Sequence, residues 1–488
     1  MKIVPLFGKG VQGKSPVATA QRRVNCYWEI RQDGDKQNTV IFGTPGTTVF
    51  VTLAKTPIRG MISAFGVIWA VANNTVYRIA YNGTITTIGT INTSSGNVSM
   101  DSFATVGIAQ LMIVDGINGY IIDMGTNVMT TISDPNFPVN PTQVAMMDGY
   151  FVVNGIGNQF LVSAQYQGLH WSWFGESAAG ANDGVIVIGT CESIPWYINT
   201  ITTDHGNIIF AGNQGTEFWQ NAGTFPLPFA PIRSVNSPYG VNSGYTIGKI
   251  YNTVAYLGYE RNDGPLSVYM LNGYTATKIS TPDIDSIINN INYTDDAVGF
   301  GWVWDSHSFY QITFPTAGRT FLYDFITQSW SEMQSGPSIL ARHVANFGVM
   351  ANDHVYVSDY ANGNIYYYDR TNYTDNGTIT PMTIVSRHID ADGNVFRLDE
   401  VWLDMETGVG LQTGQGSDPQ IVMQISKDGG RTFGYERWAS IGKVGQYSSP
   451  RAIWRRNGAA RDIVLKFKIT DPVYRVITRA ALGLGAKQ

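Results

Sequence analysis

Between about residue 60 and residue 369 the apolar positions recur as one unit. A short apolar run is followed by a Gly/Asn/Asp turn and a second run that closes on an aromatic. Val67-Ile68-Trp69-Ala70-Val71, Asn73-Asn74 and Val76-Tyr77-Arg78-Ile79 form one copy. Leu111-Met112-Ile113-Val114, Asp115-Gly116 and Gly119-Tyr120-Ile121-Ile122 form the next. The closing aromatics are Tyr77, Tyr120, Phe160, Trp219, Tyr269, Tyr323 and Tyr367, spaced 40 to 59 residues apart. A hairpin cannot bury both of its faces, and stacked blades in a ring can. Recurrence at this period predicts a β-propeller. Six or seven blades are expected, with the strand at 39–42 or at 48–53 completing the first or last. A plain series of meanders is the alternative. One helix interrupts the pattern: Thr281-Pro282-Asp283 supplies an N-cap, a Pro at the first helical position and an acid in the first turn. Ile284, Ile287, Ile288 and Ile291 then share one face.

Asp375-Asn376-Gly377 and Pro381 mark a boundary. Beyond it, alternating runs at 395–403, 420–426, 451–456 and 462–470 predict a separate β-sandwich. The expected division is an N-terminal arm at 1–38, a propeller at 39–375 and a C-terminal sandwich at 376–488. The fold class is therefore all-β. Composition agrees: 14% charged and 12% aromatic residues, with 53 glycines, suit pleated strands joined by tight turns. Cys26 and Cys191 are too few for a disulfide framework, which suggests a reducing compartment. The start of the chain lacks the apolar core of a signal peptide, and no run reaches the ~18 apolar residues of a spanning helix.

Charge adds a second pattern. From Ile79 to Ile232, 154 residues contain no Lys or Arg and ten acids. Residues 421–488 carry 13 Lys/Arg against 4 Asp/Glu. Such segregation suggests two surfaces for different partners. In the basic tail, cation and apolar residue alternate, which puts Lys466 and Lys468 on one strand face and Leu465, Phe467 and Ile469 on the other. Arg451, Trp454, Arg455, Arg456, Arg461, Lys466 and Lys468 are the candidate assembly residues, expected to meet an acidic protein surface such as that of a neighbouring copy.

Candidate chemistry is sparse. Gly8-Lys9-Gly10-Val11-Gln12-Gly13-Lys14-Ser15 satisfies the phosphate-loop pattern GxxxxGK[ST], which requires a strand before it and a helix after it. Pro16 opposes that helix, so a flexible basic arm is expected instead. Ser426-Lys427-Asp428-Gly429-Gly430-Arg431-Thr432-Phe433 resembles the Asp-box turn of sialidase-type propellers. A sialidase needs repeated boxes and an arginine cluster, which are missing here. Asp390-Ala391-Asp392-Gly393-Asn394 departs from a calcium loop in its Gly position and reads as a turn. The six histidines show no metal spacing, and no catalytic constellation stands out. Neither a cofactor nor a metal is expected.

Several stretches together resemble the packaged-DNA stabilisation proteins, or tail hub/nozzle subunits, of short-tailed bacteriophages. Near the start they are Gln21-Arg22-Arg23-Val24-Asn25-Cys26-Tyr27-Trp28-Glu29 and Gly43-Thr44-Pro45-Gly46. In the middle they are Phe160-Leu161-Val162-Ser163-Ala164, Asn182-Asp183-Gly184-Val185-Ile186 and Gly215-Thr216-Glu217-Phe218-Trp219. At the end they are Ser426 to Phe433, Tyr435-Glu436-Arg437-Trp438 and Trp454-Arg455-Arg456-Asn457-Gly458. The resemblance implies a non-enzymatic virion tail protein assembled in the host cytoplasm, a homohexamer below the portal and its adaptor ring. It would continue the DNA channel, seat a needle or plug or meet spike or fibre proteins, and retain packaged DNA without specific binding. A glycan-binding or sialidase-like propeller for host attachment is the alternative.

Overall fold

The computed structural model describes residues 2–3, 7–31, 39–173, 185–195, 197–250, 253–260, 264–338, 341–447 and 451–486. Seven successive antiparallel blades form a closed propeller. Blade one runs from Ile58–Ala64 to Ile85–Thr90, and blade two from Ser99–Thr105 to Val128–Thr131. Blade three runs from Val144–Met147 to Ile188–Thr190, and blade four from Thr200–Asp204 to Phe229–Ser237. Blade five spans Tyr239–Val241 to Thr275–Lys278, blade six Val298–Trp304 to Ser329–Met333, and blade seven begins with Ala345–Ala351.

The second strand of each blade explains the apolar runs. Val67–Ala72 is buried at every position. Trp69 and Val71 pack toward blade two, while Ile68, Ala70 and Ala72 pack toward blade seven. An apolar cluster fills every blade-to-blade junction, seven in all, including the seventh against the first. The helix Pro282–Asn289 forms as expected, with Thr281 Oγ1 accepting from the Ile284 amide at 3.4 Å. It drops Ile284 and Ile288 into the junction of blades five and six.

Ring closure is made by the N-terminal part of the chain. Gly46–Thr52 pairs antiparallel with Asn364–Asp369 and becomes the fourth strand of blade seven. The other candidate closing strand, Thr39–Gly43, pairs with Val476–Ala486 in the sandwich. The expected start of the propeller at residue 39 therefore shifts to 46, because the long C-terminal strand is the partner for 39–43.

The sandwich is two sheets over one core. One holds Cys26–Ile30, Thr39–Gly43, Val476–Ala486, Phe396–Met405 and Arg451–Arg455. The other holds Met382–Val385, Asp462–Ile469, Gln420–Ser426 and Arg437–Ser440. Leu398, Leu403, Met423, Leu465 and Phe467 meet between them. Arg22–Val24 lies between the last strand of blade six, parallel, and Met382–Val385, antiparallel. One hydrogen-bonded sheet thus runs from propeller into sandwich, with no free linker.

Candidate functional site

Arg22, Arg23, Val24, Asn25 and Trp28 each have a task at this junction. Arg22 grips Glu332 with two bonds of 2.8 and 2.9 Å, and Arg319 reaches the same carboxylate at 3.0 Å. Burial alone would raise the Glu332 pKa, but the two guanidiniums outweigh it and hold the carboxyl below its usual range. Arg23 is buried, stacks on Trp28 and donates to the carbonyls of Gly8, Lys9 and Trp330. Asn25 adopts φ +53°. Its side chain donates to the Gln334 and Pro381 carbonyls and accepts from the Gln334 amide, which joins blade six to the sandwich's first strand. Arg475 is equally buried, bonding the carbonyls of Thr44 and Thr380 beneath the Tyr373 ring. Burial pulls both Arg23 and Arg475 down to about 10. Sequence reasoning placed residues 22–28 in a resemblance and in an arm; it missed their role as a weld. The signal available was two arginines and an Asn set among Val24, Cys26, Tyr27 and Trp28, polar groups bound for burial.

The Gly8–Ser15 stretch is seated on the fold, contrary to the flexible arm expected. The carbonyls of Gly8 and Lys9 face Arg23, Val11 is buried between blades five and six, and residues 15–19 form a turn rather than a helix. A phosphate cradle needs converging amides on a helix end, and here the loop presents carbonyls. The stretch continues onto the Asp-box turn. Asp428 accepts from the amides of Arg431 and Thr432 and from the hydroxyls of Ser426 and Thr432. The two hydroxyls, then the amides, hold its carboxyl well below the usual range. Gly430 has φ +84°, and a Cβ there would stand 2.7 Å from Ala20 Cβ. Phe433 packs beneath with Ala20, Val385 and Val464.

The candidate assembly residues divide. Arg451 stacks on Trp402 at 4.2 Å and pairs with Asp404, which Arg479 also reaches at 2.7 Å. Arg455 pairs with Glu400 at 2.7 Å. Trp454 is buried against Phe467 and donates to the Arg437 carbonyl. Arg437 in turn bonds the Arg455 carbonyl, so side chains stitch the two sheet edges together. Lys466 and Lys468 stand opposite buried Leu465, Phe467 and Ile469, as the alternation requires, with Lys466 over the Phe433 ring. Arg456 and Arg461 are exposed and form no ion pair among the described residues. Trp454→Ala is expected to cost about 3–5 kcal/mol, while Arg461→Ala stays within about 0.5 kcal/mol. Thermal melts of the two variants separate a structural from a surface position.

Folding also redistributes the charge. The basic 421–488 segment lies beside acids of 399–418, and residues 376–488 as a unit carry 15 Lys/Arg and 11 Asp/Glu, a net +4. The cationless stretch spans the edge of blade one and blades two to four. Of its acids, Glu176 and Asp183 lie outside the described residues, as does 182–184. Asp115 and Glu217 are buried and hold loops, Asp115 through the amides of Ile117 and Asn118 and Glu217 through Trp219 Nε1. Asp101 accepts from the Met146 amide of the next blade, and burial pushes its pKa up. Asp123, Asp148 and Glu192 are exposed and Asp204 partly so. Blade turns linking first to second and third to fourth strands share one propeller face. Asp148, Asp204 and Asp123 all sit in such turns. Asn221, in the third-to-fourth turn of blade four, donates to Asp148 at 2.8 Å, in keeping with that geometry. The propeller's own axis is a cavity of about 440 Å³ lined by the innermost strands of all seven blades, including Met61, Asp101, Tyr245, Lys249 and Phe347.

No curated protein sequence matches the chain. Solved structures similar to it include the computationally designed Ika8 protein, at 10% identity and a TM-score of 0.39 over 66% of this chain and 99% of that one. Another is a chain of the mitotic checkpoint complex, at 11% identity and a TM-score of 0.42 over 76% and 99%. Residues 3–373 match the family described as bacteriophage P22 Gp10, beta-propeller, and residues 381–484 match bacteriophage P22 Gp10, beta-sandwich. With both units matched in order, the chain belongs to the bacteriophage P22 Gp10 family of structural phage tail proteins.

Proposed function

We propose that the chain is a non-enzymatic subunit of the tail hub or nozzle, six copies of which form a ring below the portal and adaptor. The ring continues the DNA channel, seats a needle or plug, offers positions for spike or fibre proteins and retains the packaged genome. The observation that carries this reading is the match of both units to one phage tail family. The shared sheet at Arg22–Val24 supports it, because a ring that holds back a packaged genome needs a stiff subunit. The axial cavity of the propeller, about 440 Å³, is the size of a small-ligand pocket. Duplex DNA cannot thread it, so the lumen of this reading lies between copies, with the cationless arc approaching it. An anionic wall repels phosphates and leaves DNA free to slide, whereas a cationic one binds it in a salt-dependent way.

Ring particles in negative stain, together with no retention of duplex DNA by the full-length protein at physiological salt, are the expected result. Tight duplex binding that is lost on altering blades two to four would sink the sliding-wall reading. A glycan-binding role in host attachment has one observation in its favour. A cavity of about 370 Å³ between blades six and seven is lined by Trp304, His354 and Tyr367 with Asp305, Asp353 and Arg370. Hits on a glycan array, abolished by Trp304→Ala, would establish it.

A further inference from the structure

Three stretches that stand apart in the sequence, Ser426 to Phe433, Tyr435 to Trp438 and Trp454 to Gly458, each send residues into one cleft of about 490 Å³ on the sandwich. That volume is in the range of a small-ligand pocket. Lys427, Asp428, Tyr435, Arg437, Arg456 and Asn457 are among its walls. Both sides are fixed before any ligand arrives. On one, the Asp428 carboxylate ties the Asp-box turn through the Ser426 hydroxyl and the amides of Arg431 and Thr432. On the other, the amides of Arg456 and Asn457 donate to the carbonyls of Asp399 and Leu398 at 2.8 and 3.0 Å. The sides come close together: a Cβ on Gly458 would stand 2.8 Å from Lys427 Nζ.

The cleft is cationic. Lys427, Arg437 and Arg456 face a single carboxylate, Asp428, which is already satisfied within its own turn. Arg437 is held by neutral acceptors, Asn457 Oδ1 and the Arg455 carbonyl. Lys427 and Arg456 form no ion pair among the described residues. The acids of the adjoining strand are taken, Glu400 by Arg455 and Asp399 by Arg397. The backbone of Arg456 is strained as well. Its φ is +60°, a left-handed conformation that glycine adopts freely and a side chain resists. A strained arginine without an ion pair adds nothing to stability, but it holds in the cleft a planar fork of donors suited to a carboxylate or phosphate. Tyr435, 79% exposed, supplies one ring face beside it. A nucleic-acid strand needs a groove in which cations and aromatic platforms repeat. Here there is one compact group of charge and one platform, which a single sugar ring bearing an anion uses in full.

We propose that this cleft binds an acidic saccharide, with a sugar ring against Tyr435 and its carboxylate or phosphate between Lys427 and Arg456. The site depends neither on the ring of copies nor on the cavity between blades six and seven.

The test is isothermal titration calorimetry on the full-length protein with a galacturonate trimer, a hexose phosphate, neutral maltotriose and a short oligothymidylate. One or both acidic sugars are expected to bind about tenfold or more tighter than maltotriose, and to weaken as salt rises. Arg456→Gly is expected to weaken that binding about tenfold or more while the melting temperature stays the same or rises, because Gly relieves the left-handed backbone. A purely structural Arg456 would instead lower the melting temperature. Lys427→Gln and Tyr435→Ala are expected to weaken binding too, and Trp304→Ala, in the propeller cavity, to leave it unchanged. Failure of both acidic sugars to bind at millimolar concentration overturns the proposal, as does maltotriose bound equally well or full binding by Arg456→Gly. Oligothymidylate bound more tightly than both sugars, and lost in Arg456→Gly, assigns the cleft to nucleic acid and overturns it as well. Sugar binding abolished by Trp304→Ala and spared by Arg456→Gly refutes the cleft while supporting the cavity between blades six and seven.

Discussion

A chain shortened to begin at residue 54 is expected to be insoluble or to lose its near-UV signal and resistance to proteolysis. The cut removes Gly46–Thr52 from blade seven and Thr39–Gly43 and Cys26–Ile30 from the sandwich, and it takes away Arg22–Val24, which joins them. Among the side chains that leave buried sites, eight are large or well packed: Val24, Cys26, Tyr27, Trp28, Val40, Ile41, Val51 and Leu53. At ~1.5–3 kcal/mol each they contribute roughly 12–24 kcal/mol. A domain is typically separated from its unfolded state by ~5–15 kcal/mol. The deletion therefore exceeds the margin even before the open edge of Asn364–Asp369 is counted, and an unpaired strand edge invites association. A shortened chain with the same melting temperature as the full one would refute the closure argument.

Glu332→Ala is expected to cost about 3–5 kcal/mol, because it leaves the Arg22 and Arg319 guanidiniums facing each other without their shared carboxylate. The carboxylate also sets an acid limb. Its folded pKa lies below the ordinary 4.5, so its contribution is complete above about pH 4.5 and is lost as pH falls through the folded value. His343 acts in the same direction at higher pH. Burial first, then the Arg342 charge, lowers its pKa below 6.5 against the opposing pull of Asp375 and Asp359. Its Nδ1 accepts from the Ala345 amide at 3.2 Å, so the native ring is neutral. Protonating it on the way down from pH 6.5 opposes folding. Thermal melts across pH 3–8 are expected to show two losses in wild type, with the lower one smaller in Glu332→Ala, where Asp369 and Asp428 still contribute. An unchanged low-pH loss in the variant would remove Glu332 from the account.

The blades were legible because their two middle strands are buried on both faces and read as unbroken apolar runs, as in Val67–Ala72 and His307–Phe314. Their outer strands were not. Ile85–Thr90 and Val128–Thr131 are largely exposed and carry no clear alternation, which is why the repeat read as hairpins and the blade number stayed open between six and seven. The weld at Arg22–Val24 is three residues long and pairs with strands more than 300 residues away, so no local periodicity marks it. Charge by position misled for a related reason. Antiparallel pairing sets Glu400 opposite Arg455 and Asp404 opposite Arg451, neutralising inside the sandwich what the linear count presents as a basic tail. Lys466 and Lys468 were placed correctly because alternation along a single strand is a local property.

The order in which the strands leave the ribosome differs from the order in which they can pair. Gly46–Thr52 is synthesised before any blade and must wait roughly 310 residues for Asn364–Asp369. At ~5–20 residues per second that is on the order of 15–60 s. Thr39–Gly43 waits longer still, for Val476–Ala486 more than 400 residues on. A nascent or prematurely terminated chain therefore has neither a closed propeller nor a finished sandwich. Synthesis of the 476–486 strand becomes the licence for folding, and a particle built from such subunits excludes chains that stop short of it without any separate inspection step.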